Sequence, residues 1–203
     1  PVPRLLIADD VGIGKTIEAG LILRELIDRG EVDAFAVLCP PHLVDQWVRE
    51  LKTRFGIDAA AVTSSSAARL ERGLPLDQTL FDAHPCTVVS LDYIKAQKRR
   101  EDFARACPRF VIVDEAHSCT GTHQGKQQRY VLLQSLSRDE TRAMVLLTAT
   151  PHSGDEEAFA RLLALISPEF GAVRFDDQGF RERLARHFVQ RRRVDVQAPE
   201  WGE

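Results

Sequence analysis

The chain has 203 residues, of which 44% are hydrophobic and 28% charged, a mixture typical of a folded soluble domain. Its 27 basic and 30 acidic residues give a net charge of −3, which excludes a polybasic nucleic-acid binder but allows a local basic patch. No apolar run approaches the roughly 18 residues of a membrane span, so we expect a cytoplasmic protein without a membrane partner. Because the only methionine is Met144, we expect the chain to be part of a longer protein.

Short apolar runs alternate with amphipathic segments along the chain. Strands are predicted at residues 4–8, 34–39, 57–62, 86–91, 109–113 and 143–148. Helices are predicted at residues 17–28, 43–55, 124–136 and 155–166. Short, continuously apolar strands separated by helices indicate an α/β fold, with a mostly parallel sheet covered by helices on both faces. Residues 64–85 receive no assignment.

The run at residues 181–193 is rich in arginine, and two interpretations of it stay open. It carries six arginines against the single acidic residue Glu182. Such a run is either a solvated helix face at the start of a linker or a contact with nucleic acid or a neighbouring domain.

A glycine-containing turn follows the first predicted strand and forms the first candidate site. It reads Asp9, Asp10, Val11, Gly12, Ile13, Gly14, Lys15 and Thr16. Ligands of parallel α/β sheets bind at the carboxyl ends of strands, where backbone N–H groups and a helix N-terminus can hold a polyphosphate. Lys15 can neutralise phosphate charge, and Thr16 can offer its hydroxyl to Mg²⁺. The turn departs from the G-x-x-x-x-G-K-[ST] pattern because Asp9 stands at the first glycine position.

Polar residues also follow two later strands. Asp114 comes directly after the strand at 109–113, where a carboxylate can hold hydrated Mg²⁺, and Glu115 can orient or deprotonate an attacking water. An acidic pair that merely caps a loop is disfavoured, because a Lys-Thr turn follows the first strand. Thr148 ends the strand predicted at 143–148 and Thr150 follows it, and their hydroxyls can bond the acidic segment on one side and a bound strand on the other.

Taken in order, these segments resemble the first motor lobe of a superfamily 2 helicase, most of all the RapA-like branch of the Snf2/Swi2 group. The segments that carry the resemblance are ADDVGIGKTIEAGLI, VLCPPHLVDQWVREL, VDEAH, LLTATPHSGDEEAFARLLALI and HFVQRRRVDV. The resemblance implies a RecA-like P-loop lobe at residues 1–189, followed at 190–203 by the start of a linker to a second RecA-like lobe. It implies an ATP-dependent motor on duplex DNA, in a bacterial, nucleoid-associated protein that could join a larger complex.

The resemblance also implies roles for single residues. ATP contacts are implied for the whole turn at 9–16, and Mg²⁺ contacts for Thr16 and Asp114. Catalytic roles are implied for Lys15 and Glu115. Coupling of the ATP site to the nucleic-acid side is implied for His117, Thr148 and Thr150. Contacts to nucleic-acid phosphates and sugars are implied for Pro40, Pro41, His42 and Ser90.

Two further functions stay open beside this one. One is an RNA-dependent remodeller of the DEAH type, and the other is a nucleotide-gated module that docks partners without catalysis. The adenine-recognising glutamine motif of the group is not in the sequence, nor is the second lobe, which supplies an arginine finger. We therefore expect the 203-residue chain to bind nucleotide weakly and to hydrolyse almost none. Trp47 is expected in the core rather than as a platform for a base.

Overall fold

The computed structural model describes residues 2–10, 12, 14–120, 124–150, 156–172 and 177–191. Within these ranges the strands are β1 (Arg4–Ile7), β2 (Phe35–Cys39), β3 (Ala60–Val62), β4 (Cys86–Ser90), β5 (Phe110–Val113), β6 (Ala143–Leu147) and β7 (Phe188–Val189). The helices are α1 (Lys15–Asp28), α2 (Val44–Phe55), α3 (Ala67–Leu70), α4 (Leu80–Ala83), α5 (Gln97–Ala106), α6 (Gln124–Ser137), α7 (Glu156–Ile166) and α8 (Gln178–Leu184). Val11 and Ile13 of the predicted nucleotide site lie outside the described residues, as do 151–155 and the predicted linker from 192 onward.

All the strands of the described ranges pair in parallel in one sheet, in the order β3-β4-β2-β5-β6-β1-β7. Alternate residues of a strand point to opposite faces, and the core divides accordingly. Val37 packs on one face with residues of α1 and α2, whereas Leu38 packs on the other with residues of α5, α6 and α7. The predicted α/β class and the parallel, two-sided sheet are confirmed.

The strand order brings together three strand ends that are far apart in the sequence. β5, β6 and β1 are neighbours, and in a parallel sheet their carboxyl ends meet at the same edge. Asp9, Asp114 and Thr148 follow these three strands. The backbone ladder continues past the strand ends, since the amide of Thr148 donates to Ile7 O at 3.0 Å. Tertiary pairing therefore holds the backbone of this edge in place.

Several elements differ from the sequence-based prediction. α5 received no assignment, and of its ten residues only Phe103 is buried, so its apolar periodicity is weak. The segment 64–85 contains α3 and α4, each a single turn, and the strand predicted at 57–62 is confined to Ala60–Val62. The two-residue β7 lies inside the arginine-rich run, too short to leave a pattern. Among the described helices, none combines the length and apolarity needed to cross a bilayer.

Candidate nucleotide-binding site

The turn after β1 depends on two glycines with left-handed backbone. Gly12 has φ +88° and Gly14 has φ +99°, a region that residues with a side chain rarely adopt. α1 begins immediately after Gly14. The first amides of a helix have no partner within the helix and carry its positive dipole end. This end of the turn therefore suits a phosphate group.

Lys15 reaches back across the turn from the first residue of α1. Its Nζ donates to the carbonyl oxygens of Asp9 at 2.6 Å and of Asp10 at 3.1 Å. Burial raises the pKa of the Asp114 carboxyl group, and the positive charge of Lys15 opposes part of that rise. Lys15 thus ties the start of α1 to the first residues of the turn after β1.

Asp114 is a buried carboxylate with a donor on each oxygen. Its Oδ1 accepts the Glu115 N–H at 2.8 Å, and its Oδ2 accepts the indole N–H of Trp47 at 2.8 Å. Burial raises the pKa of Asp114, and the two hydrogen bonds and nearby Lys15 oppose that rise. A carboxylate oxygen has two lone pairs, so each oxygen keeps one for a metal ion or its water. The orientation of this side chain is set from both sides.

Glu115 has a strained backbone. With φ 51° and ψ 45°, it is the one non-glycine residue of the described chain in the left-handed region. This conformation costs about 1–2 kcal/mol for an L-residue with a side chain, and such strain is concentrated at functional sites. The conformation turns the chain sharply after β5 and places Glu115 Oε2 3.2 Å from His117 Nδ1.

A short chain of polar contacts connects β5 to β6. His117 Nδ1 lies 3.0 Å from the hydroxyl of Thr148, which is fully buried. That hydroxyl accepts the amide of Thr150 at 3.2 Å. These contacts form an unbroken chain that runs from Glu115 through His117 and Thr148 to Thr150. Coupling between the two sides of the site would require such a chain. Their functional coupling stays a prediction.

A cavity of about 340 Å³ opens between these elements. Its wall includes Gly14, Lys15 and Thr16 from the turn and α1, and Asp114 and Glu115 from the segment after β5. The volume lies within the range of small-molecule sites. The structure thus gathers at one cavity the groups that sequence reasoning assigned to phosphate, metal and water.

The residues predicted to contact nucleic acid lie at the same edge of the sheet: three follow β2, and Ser90 is the last residue of β4. Pro41 and His42 are exposed at the end of β2, and Pro40 is half-buried. Ser90 is 2% exposed, and its hydroxyl accepts the amide of Asp92 at 3.2 Å. Pro41 and His42 are exposed to solvent, whereas Ser90 is buried and its hydroxyl accepts one hydrogen bond in the turn after β4. The nucleic-acid contacts of these residues stay a prediction.

Sequence reasoning missed two residues of this site. Trp47 is 1% exposed and packs in the core as expected, but its indole N–H also bonds Asp114, and apolar periodicity does not report such a donor. Arg191 was counted only as part of a basic run. Its backbone amide and guanidinium bond both oxygens of Asp9. The one available signal was a carboxylate at the end of a buried strand, which requires a partner.

Comparison with known proteins identifies the family. The profile of the SNF2-related domain family matches residues 2–197. The chain belongs to the SNF2-related family. The RNA polymerase-associated protein RapA of Actinobacillus pleuropneumoniae serotype 3 is 34% identical over 174 residues, and that of Actinobacillus succinogenes is 36% identical over 171 residues. Each alignment covers 83% of this chain and 18% of the relative, so this SNF2-related chain spans less than a fifth of these relatives' length.

Solved structures share the fold of this SNF2-related chain. The Sulfolobus solfataricus SWI2/SNF2 ATPase core in complex with dsDNA aligns with a TM-score of 0.68 at 15% identity, covering 95% of this chain and 41% of that one. The Pyrococcus furiosus Hef helicase domain aligns with a TM-score of 0.61 at 17% identity, covering 94% of this chain and 35% of that one. At these identities the likeness concerns the fold, which is that of RecA-like motor lobes.

Proposed function

We propose that this chain is the nucleotide-binding lobe of an ATP-driven motor that moves along duplex DNA. The observation that carries the proposal is the set of groups around one cavity: an ammonium, a hydroxyl and two carboxylates, from Lys15, Thr16, Asp114 and Glu115. Phosphoryl transfer is catalysed mainly by positioning and charge stabilisation, and these are the groups that it uses.

The residues present fit magnesium and ATP. Mg²⁺ prefers oxygen ligands and keeps several waters, so the hydroxyl of Thr16 and the free lone pairs of Asp114 suffice on the protein side. Gly12 and Gly14 let the backbone approach a polyphosphate, and Lys15 would exchange its carbonyl partners for phosphate oxygens. Bound magnesium and ATP would supply the transferable phosphoryl group and a cation that neutralises its charge.

Glu115 is the group that would take a proton from the attacking water. Its Oε2 faces His117, whose contact with Thr148 leads to the end of β6. In this proposal the contact chain transmits the state of the nucleotide site to the nucleic-acid side. Lys15 neutralises negative charge near the reacting phosphate.

The proposal of a DNA substrate is supported by relatives and by the surface at β2. One solved structure of the same fold is a complex with dsDNA, and the bacterial relatives are named for association with RNA polymerase. Pro41 and His42 are exposed at the edge where a strand would pass. A second RecA-like lobe of the same protein would complete the ATP site, and a larger complex in the bacterial cytoplasm, close to the nucleoid, would be its setting.

The test is the rate of ATP hydrolysis by a protein that carries this chain together with a second lobe. The rate is measured without nucleic acid and with duplex DNA, single-stranded DNA or RNA, and Glu115→Gln is the inactive control. Stimulation by duplex DNA alone is the expected result. Stimulation by RNA alone would reassign the protein as an RNA remodeller, and a flat rate in all four conditions would favour a nucleotide-gated docking module.

The isolated 203-residue chain gives a second measurement. Without an arginine finger, which contributes about 10³–10⁵ in rate, it should bind nucleotide with almost no turnover. Steady hydrolysis by this chain, abolished in Glu115→Gln, would contradict the proposal that a second lobe is needed.

A further inference from the structure

The segment after β7, which is Gln190 and Arg191 in the described chain, lies beside residues 8–10 at the start of the phosphate-binding turn. β7 pairs in parallel with β1, and the pairing extends beyond both strands. The amide of Ala8 donates to Val189 O at 2.7 Å, and the amide of Asp10 donates to Arg191 O at 3.1 Å. The backbone of Arg191 is therefore held beside the start of the turn.

Arg191 bonds residues on both sides of that turn. Its backbone amide donates to Asp9 Oδ1 at 2.7 Å, and its Nε and Nη2 donate to Oδ2 at 2.9 Å and 2.5 Å. The same guanidinium also pairs with Glu18, in the first turn of α1. Asp9 precedes the glycines of the turn and Glu18 follows them, so one side chain spans the turn.

The charge of Asp9 makes this contact consequential. Asp9 is fully buried, and a buried carboxylate without a partner is strongly unfavourable. Its backbone carbonyl accepts the ammonium of Lys15 at 2.6 Å. Any displacement of Asp9 therefore moves the acceptor that holds Lys15, and an unpaired negative charge there would repel a phosphate.

We propose that Arg191 is a positioning residue for the phosphate-binding turn, which links the segment after β7 to nucleotide affinity. By holding Asp9 and Glu18 together, it keeps the turn in the conformation that presents Lys15 to a phosphate. A movement of the segment after β7 then changes the affinity for nucleotide without any contact between that segment and the ligand. This inference rests on the proposed nucleotide binding.

The test compares Arg191→Gln with Arg183→Gln in the 203-residue chain. Arg183 on α8 pairs with Glu169, and both side chains are half-exposed, so it is a matched arginine outside the site. For Arg191→Gln we expect the Kd for a fluorescent ATP analogue with Mg²⁺ to rise about tenfold, as the loss of a charge-assisted hydrogen bond predicts. Arg183→Gln should leave it unchanged. Arg191→Lys should recover part of the affinity, because lysine keeps the positive charge but lacks the planar set of N–H donors of the guanidinium group.

A second readout needs no nucleotide. Residue-resolved amide exchange should be about tenfold faster at Asp10 in Arg191→Gln, by the same loss of hydrogen bonding. It should be unchanged at Leu6, whose amide donates to His187 O at 2.7 Å. If Arg191→Gln does not fold, Glu18→Gln serves instead, since it leaves Asp9 paired and should raise Kd about threefold, the effect of a partly exposed ion pair.

Either of two results would overturn the inference. The first is that Arg191→Gln keeps both the wild-type Kd and the wild-type exchange rate at Asp10. The second is that Arg191→Gln and Arg183→Gln change the Kd equally. Failure of the wild-type chain to bind the analogue would count against the proposed function instead. The exchange comparison would still decide whether Arg191 holds the turn, so the two failures are distinguishable.

Discussion

Replacing Trp47 with phenylalanine removes the donor to Asp114 while keeping an aromatic ring in the core. The bond joins Trp47 Nε1 and Asp114 Oδ2 at 2.8 Å, and the two residues are 1% and 6% exposed. A hydrogen bond to a charged group contributes about 1.5–3 kcal/mol, and loss of the smaller ring of the indole costs about 1 kcal/mol in packing. We therefore expect the free energy of unfolding to fall by about 2.5–4 kcal/mol.

A double-mutant cycle separates the two contributions. In an Asp114→Ala background the hydrogen bond is already absent, so Trp47→Phe should cost only about 1 kcal/mol for packing. The difference between the two costs, about 1.5–3 kcal/mol, is the contribution of the bond. Urea unfolding followed by circular dichroism, with EDTA present to remove metal ions, measures all four free energies.

The outcome that refutes this reasoning is an equal cost of Trp47→Phe in both backgrounds, within about 0.5 kcal/mol. Trp47 would then be a packing residue only. If the bond contributes as expected, Trp47→Phe should also weaken magnesium-dependent nucleotide binding by about tenfold, because Asp114 loses one of the two groups that orient it.

The remaining predictions concern stability. Gly20→Ala should lower the free energy of unfolding by about 1–3 kcal/mol, because the added Cβ would lie 2.3 Å from Phe55 Cε2. Gly125→Ala should instead raise the free energy of unfolding by up to about 1 kcal/mol, because a Cβ added there has no atom within 4 Å. Urea unfolding that gave the two substitutions stability changes of the same sign would contradict this prediction. Glu115→Gly should be about 1 kcal/mol more stable than Glu115→Ala, because φ is 51°, and equal stabilities would argue against backbone strain. Burial raises the pKa of Tyr93 from 10.0 to about 12. The free energy of unfolding should therefore be fully retained below pH 10 and fall as the pH rises towards 12, and Tyr93→Phe should reduce that fall in urea titrations.

The elements that local patterns could predict are those with a strong apolar signal. β2, β5 and β6 are buried along their whole length and stand out as continuous apolar runs. α5 and β7 left no such signal, since one buries a single side chain and the other has two residues. Whether these two elements form depends on the residues they pack against, and a short stretch of sequence does not contain those residues.

The sequence by itself determined the fold class, the family resemblance and the residue types of the proposed nucleotide site. Each of these depends on short segments whose chemistry is local: glycines at a turn, a lysine and a threonine after them, and carboxylates at a strand end. Only the tertiary structure decided how these groups are held. The side-chain donor to Asp114 belongs to a residue 67 positions away, and the partner of the Asp9 carboxylate belongs to one 182 positions away. Such contacts follow from which strands are neighbours in the sheet, and strand order is a property of the whole chain's packing rather than of any local pattern.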